Sequence, residues 1–147
     1  DFNRASAYAY WHWRPFQPLH LTAGLAYDYL RYPANHRFVP VSPSDSSTDM
    51  FSPTAGLVWA PTRNTTFRAA FTRSLGGVSF DQSFRLEPTQ VGGFNQAYRS
   101  LIPESAGSTL TAPEFETWGL AWDQRFGQGT YLSVQGQLLR SKVAQKE

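Results

Sequence analysis

The chain has 147 residues, enough for one domain, and a formal net charge of +2 with no run of Lys or Arg, which excludes the basic footprint of a nucleic-acid binder. It contains no Cys, so neither a disulfide framework nor a Cys-based metal site can be built. Charged residues are only 16%, against about 25% in an ordinary soluble domain, and aromatic residues reach 16%, yet the mean hydropathy is −0.42 and no apolar run of helix-spanning length occurs. That combination fits a sheet with lipid on one face and water on the other; it also fits a secreted all-β protein.

Asp1 opens directly into an alternating pattern, with no basic region or apolar core ahead of it, so no signal peptide is read there; either one has been removed or the sequence is a piece of a longer chain, and a strand number too small for a closed barrel favours the piece. Residues 3–14 form the first expected strand. Ala5, Ala7, Ala9, Trp11 and Trp13 share one face; Ser6, Tyr8, Tyr10, His12 and Arg14 share the other. Pro15 to Pro18 (PFQP) is a short turn. The second strand, 19–32, has the cleanest alternation, with Leu19, Leu21, Ala23, Leu25, Tyr27 and Tyr29 on its apolar face.

Residues 33–50, rich in Pro, Ser and Asp, read as a long outer loop. The third and fourth strands, 52–60 and 66–75, flank the turn PTRNT. Ala55, Leu57 and Trp59 oppose Thr54, Gly56 and Val58; after the turn, Phe67, Ala69 and Phe71 oppose Thr66, Arg68, Ala70 and Thr72. One face is therefore large and apolar. The other is small or polar, and is expected to be wet.

A second long loop runs over 76–113. Within it, Phe94, Ala97, Tyr98 and Leu101 have the spacing of one helical stripe, which Pro103 would stop. The fifth and sixth strands are 114–126 and 130–142, joined by the turn GQG. Trp118, Leu120 and Trp122 share a face with Glu116; Leu132, Val134 and Leu138 oppose Ser133, Gln135 and Gln137.

The connections alternate short, long, short, long, short. Outer-membrane barrels have short periplasmic turns and long extracellular loops, whereas sandwiches follow no such rule. The fold expected is all-β: an antiparallel up-and-down meander of about six strands, an incomplete part of a transmembrane β-barrel occupying 1–147. Trp13, Trp59, Phe67, Phe126 and Tyr131 are expected to form a membrane-interface girdle at the short-turn end, while Phe80, Phe84, Phe94 and Tyr98 should lie beyond the opposite end, beside 33–50.

Ser52-Pro53 before Gly56-Leu57-Val58-Trp59, then Pro61 and Thr66 to Ser74 (TFRAAFTRS), together with Phe115 to Leu120 (FETWGL), resemble the barrel of TonB-dependent outer-membrane receptors. The resemblance implies an outer-membrane location and uptake of a nutrient or metal chelate. It implies as partners outer-membrane lipid, the remaining strands of the same barrel and a small extracellular ligand. Gln82 to Ser105 departs from the usual receptor loop and looks like barrel domains attached to other modules. No plug or TonB-box stretch occurs among these residues, so no energy-coupling or catalytic residue is carried over.

The candidate ligand-binding residues are Arg73, Arg85, Arg99, Phe84 and Tyr98, because Arg with aromatics on scaffolded loops is the usual mix at recognition surfaces. Packing of the loop aromatics onto themselves is the competing and weightier reading. His12 and His20 face each other across the first turn, but as wall histidines rather than a metal pair. Asp28, Asp123 and Arg68 read as solvated lumen residues. No metal, cofactor or catalytic constellation is expected. Three functions stay open: a receptor barrel, a non-transporting membrane-anchor barrel of a larger surface protein, and a soluble all-β binding module.

Overall fold

The computed structural model describes residues 3–35, 42–75, 87–88, 90–95, 114–127 and 129–142. Eight strands follow in order: β1 (Asn3–Phe16), β2 (Leu19–Asn35), β3 (Ser42–Thr62), β4 (Thr65–Leu75), β5 (Gln90–Val91), β6 (Phe94–Asn95), β7 (Glu114–Phe126) and β8 (Thr130–Lys142). Six of them form one sheet in the order β1-β2-β3-β4-β7-β8, each antiparallel to its neighbour. The meander expected from the alternation is thus the architecture observed. The sheet is open, with β1 and β8 at its edges, and bacterial barrels begin at about eight strands, so closure needs strands beyond those described. No helix among the described residues is long and apolar enough to cross a membrane, which leaves crossing by strands untouched.

The short turns Gln17–Pro18, Arg63–Asn64 and Gly127–Gly129 lie at one end of the sheet. Two are stitched to the next strand: Ala60 N donates to Pro18 O at 2.8 Å, and Arg125 N donates to Asn64 O at 2.8 Å. The ladder shifts register between Trp13 and Phe16 and between Trp59 and Thr62. Pro15 and Pro61 sit inside those shifts, where a residue without an N–H cannot continue the pairing.

Two expectations need correction. The outer loop assigned to 33–50 is largely strand: β2 continues to Asn35 and β3 begins at Ser42, with pairing out to Asn35↔Ser42. The polar sequence hid this, because Pro, Ser and Asp offer no apolar alternation to read, whereas backbone pairing carries the ladder on. The helix read over 94–101 is also replaced in its described part, since Phe94–Asn95 is β6, paired with β5 around Gly92–Gly93. Both glycines have positive φ, 57° and 80°, the requirement of a two-residue type I′ turn. Ala97, Tyr98 and Leu101 lie outside the described residues.

Alternation across the register divides the sheet into two continuous faces. One row of partners runs Trp13, Leu21, Leu57, Ala69, Leu120, Gly136, and the next runs Trp11, Ala23, Ala55, Phe71, Trp118, Leu138. This apolar face is exposed: Trp11 is 64% and Leu120 69% accessible. The opposite, small face holds the buried residues Ala26, Asp28, Leu30, Met50, Ser52, Thr54, Ala70, Thr72, Ser74 and Ala121. A water-soluble sheet buries its large apolar side and solvates its small polar side; this one does the reverse.

Candidate functional site

The site is built on the small face. Gly56, Ala70 and Gly119 are direct register partners on three adjacent strands, β3, β4 and β7, and together form a shallow trench. The β5–β6 hairpin lies in it. Val91 and Phe94 point into the wall and are 2% and 4% exposed. A Cβ added at Gly56 would meet Val91 Cγ1 at 2.5 Å, and one added at Gly119 would meet the Phe94 ring at 2.8 Å. Ala70, Phe94 and Ala121 form one buried apolar cluster. The hairpin therefore packs by taking up the volume that the missing side chains leave.

Arg68 fastens it. Its Nε donates to Asp123 Oδ2 at 2.7 Å and its Nη2 to Oδ1 at 3.2 Å, a fork-to-fork pair. The remaining Nη1 donates to the Gly93 carbonyl at 3.3 Å, and the guanidinium carbon stands 5.4 Å from the Phe94 ring centroid. Ser133 Oγ donates to Asp123 Oδ1 at 2.6 Å, so the carboxylate is held from β4 and β8 at once. A second tie lies toward β1, where Tyr10 Oη donates to Glu87 Oε1 at 2.5 Å. The Tyr10 ring reaches it by lying over its register partner Gly24. Asp28 is completely buried and accepts from Ser6 Oγ at 2.5 Å.

These contacts revise the wet lumen wall expected from sequence. Asp28 is not solvated at all, and the Arg68–Asp123 side chains are only 21% and 34% exposed. Phe94 does not lie beyond the end of the sheet but against its middle. His12 and His20 both fall on the small face; His12 Nδ1 sits 3.1 Å from Thr22 Oγ1. Among the described residues, no group of three or more His, Asp or Glu is placed to hold a metal ion.

Of the candidate ligand residues, Arg85, Arg99, Phe84 and Tyr98, with Phe80, lie outside the described residues. Arg73 does not join Phe94: it belongs to the apolar face, with Phe71 two residues before it, and pairs with Glu114 Oε2 at 2.7 Å. Glu116, Arg140 and Lys142 share its face, and Trp118 Nε1 donates to Glu116 Oε1 at 2.8 Å. This charged border ends the apolar band toward the long connections. From Trp118 to Phe126, β7 spans nine residues, close to the roughly 9–11 that a tilted strand needs to cross a bilayer.

At the short-turn end, Trp13, Trp59, Phe67 and Phe126 all lie on the apolar face, with the Trp59 and Phe67 rings stacked at 5.6 Å. Tyr131 departs from them. It is the register partner of Arg125 on the small face and lies 5.6 Å from the Arg125 guanidinium carbon.

Sequence reasoning missed Gly56, Gly119, Gly92–Gly93 and the Arg68–Asp123 pair as a unit. A signal for the hairpin was present in QVGGFN, where Gly-Gly sits between two apolar residues. Nothing in one sequence places that hairpin on Gly56 and Gly119.

No curated protein and no solved structure gives a significant match to the chain. The sequence model of one family, described as TonB dependent receptor-like, beta-barrel, matches residues 1–113. That stretch includes all of β1 to β4, both faces of their meander and the hairpin with its Gly-Gly turn. The match covers well over half of the chain, and the open antiparallel meander is the architecture such a barrel is made of: this chain belongs to the TonB dependent receptor-like β-barrel family.

Proposed function

We propose that the chain forms part of the wall of a bacterial outer-membrane barrel that takes up a nutrient or metal chelate. The observation that carries this reading is the inversion of the two faces. Trp11, Trp118 and Leu120 are half exposed or more on a continuous apolar surface, while small and polar residues are covered. Exposing that surface to water is unfavourable at roughly 25 cal/mol per Å², and lipid removes the penalty. The apolar band ends in aromatic rings on one side and in the Arg73–Glu114 pair on the other, as an interface would demand. Family membership supports uptake as the role. The barrel wall is then scaffold, and recognition belongs to the long connections.

The test uses the full-length parent protein in its own cells. Leu57→Cys should resist a membrane-impermeant maleimide until detergent is added. Deleting the parent gene should slow uptake of at least one chelated metal or vitamin-sized nutrient, with rescue by the wild-type gene. Normal uptake across such a panel, with loss of another protein from the cell surface, would instead identify a non-transporting anchor.

A further inference from the structure

We propose that the apolar face carries, at its long-connection end, a seat for one phosphate-bearing membrane lipid, with the headgroup on Arg73, Arg140 and Lys142 and the acyl chains in a hollow below them. The inference rests on the reading above, in which this face meets lipid. It names the lipid class that the face selects and the place where it binds.

Charge is the first observation. Among the residues paired in the sheet, the cations of the apolar face are Arg31, Arg73, Arg140 and Lys142, and all four stand toward the long connections. At the short-turn end, the paired residues of the same face include the Trp59 and Phe67 rings but no cation. Three of the four gather on neighbouring strands: Arg73 on β4, Arg140 and Lys142 on β8, with Glu114 and Glu116 of β7 between them. The carboxylates do not use up this charge. Glu114 Oε2 pairs with Arg73 Nη2 at 2.7 Å, and Glu116 accepts from Trp118 Nε1 at 2.8 Å rather than from its register partner Arg140. Among the described residues, Arg140 and Lys142 form no ion pair, and both are exposed. With Phe115, these side chains line a recess of about 120 Å³, equal to about four waters. A phosphate is small enough to enter it, answers both cations with several oxygens, and meets Arg as a fork.

The second observation is the shape of the face below the recess. On β8, Leu138 and then Gly136 follow Arg140 on the same side. Ala69, Leu120 and Gly136 form one row of register partners, so the prominent Leu120 has a small residue on either flank. The hollow continues over Ala55 and Ala23 to the stacked Trp11 and Trp13 rings, and its volume is about 1050 Å³. A Cβ added at Gly136 would meet nothing within 4 Å. Four residues of strand separate Arg140 from Gly136, roughly 13 Å, which stays within one leaflet of a hydrocarbon core about 30 Å thick. A chain held at the recess by its headgroup therefore reaches the hollow without leaving its leaflet.

Recess and hollow together select the occupant. An uncharged lipid gains from the hollow alone, and an inorganic anion from the recess alone. A second copy of the chain would present the same excess of cations. A lipid with an anionic phosphate and long chains uses both features.

The experiment uses the full-length parent barrel in an uncharged detergent, with bound lipid counted by native mass spectrometry. The probes are dimyristoyl phosphatidic acid, phosphatidylcholine with the same chains, and inorganic phosphate. Phosphatidic acid should be retained, one per barrel, at concentrations where the other two are not. Arg140→Gln with Lys142→Gln should lower that retention on the order of tenfold. Arg125→Gln, on the opposite face, should leave it unchanged. Gly136→Trp keeps every charge but fills the hollow, and should lower retention as well. Equal retention of the two lipids overturns the proposal, as does a double variant that binds phosphatidic acid like the wild type. Inorganic phosphate held as strongly as phosphatidic acid, or barrels that pair with each other in place of binding lipid, overturns it too. Maleimide protection at Leu57→Cys separates the two levels. Protection without lipid discrimination removes only the lipid seat; loss of protection removes the membrane reading and the seat with it.

Discussion

Phe94 lies against Gly119: a Cβ built on that glycine would come within 2.8 Å of the ring, so the aromatic occupies the volume that any other residue would fill. Gly119→Leu should therefore expel Phe94 from its seat. Amide hydrogen exchange at Val91 and Phe94 should accelerate strongly, while exchange in β3 and β4 changes little, because the loss is local rather than global. Uniform acceleration across the sheet would mean that the glycine supports strand pairing instead.

Leu57 and Gln135 test which face meets lipid. Leu57 belongs to the apolar row with Leu21 and Ala69, and Gln135 faces the small side of β8. In the parent barrel, Leu57→Arg should cost about 2–4 kcal/mol if it lies near the bilayer midplane, and Gln135→Arg about 0–1 kcal/mol. Reversible denaturant unfolding from lipid vesicles measures both. Equal small losses would return the soluble reading. Ala70, beneath Phe94, would not serve as a lumen control, since it is buried.

Arg68 and Asp123 should couple. A double-mutant cycle with Arg68→Ala and Asp123→Ala is expected to give about 0.5–1 kcal/mol, the range for a partly exposed pair. Arg68→Lys should not restore it, because an ammonium cannot bond both carboxylate oxygens in a fork and still reach Gly93 O. Full recovery with Lys would reduce the contact to a simple charge pair.

Gly92 and Gly127 share nearly the same positive φ, 57° and 56°, but not one environment. Above Gly92 stands the Ala69 carbonyl; above Gly127 there is nothing within 4 Å. Asn tolerates positive φ, so Gly127→Asn should shift stability by less than about 0.5 kcal/mol. Gly92→Asn has nowhere to place its side chain and should release the hairpin, read by proteolysis between 87 and 95. Similar behaviour of the two variants would show that φ, not space, controls the turn.

The meander was legible because each main strand carries a period of two over enough residues to count. Leu19 to Tyr29 and Trp118 to Trp122 state their faces without help. The extension of β3 back to Ser42 was not legible, since its run of Pro, Ser and Asp offers no apolar alternation to read. Tyr131 could have been placed: counting from Leu132 already puts it beside Ser133, on the small face, and the aromatic side chain drew it to the girdle instead. The hairpin failed for a different reason. Strands of two residues have no period, and a helical spacing from Phe94 onward competed with the Gly-Gly turn. Its seat depends on the β3–β4 pair together with β7, which lies far along the sequence and which only the register brings beside them.

That dependence has a consequence for assembly. The long connection that carries the hairpin is also the one that brings β7 to β4. If β7 slipped by one residue, Trp118 or Leu120 would turn toward the hairpin in place of Gly119, and every side chain of the strand would change faces. Phe94 would then collide with a large side chain instead of entering a gap. A slip by two keeps the faces but sets Thr117 or Ala121 opposite Ala70, and the gap closes again. The hairpin can dock on only one alignment of β4 with β7, so it acts as a gauge that rewards correct strand registration at the joint where 38 residues of connection separate the two partners.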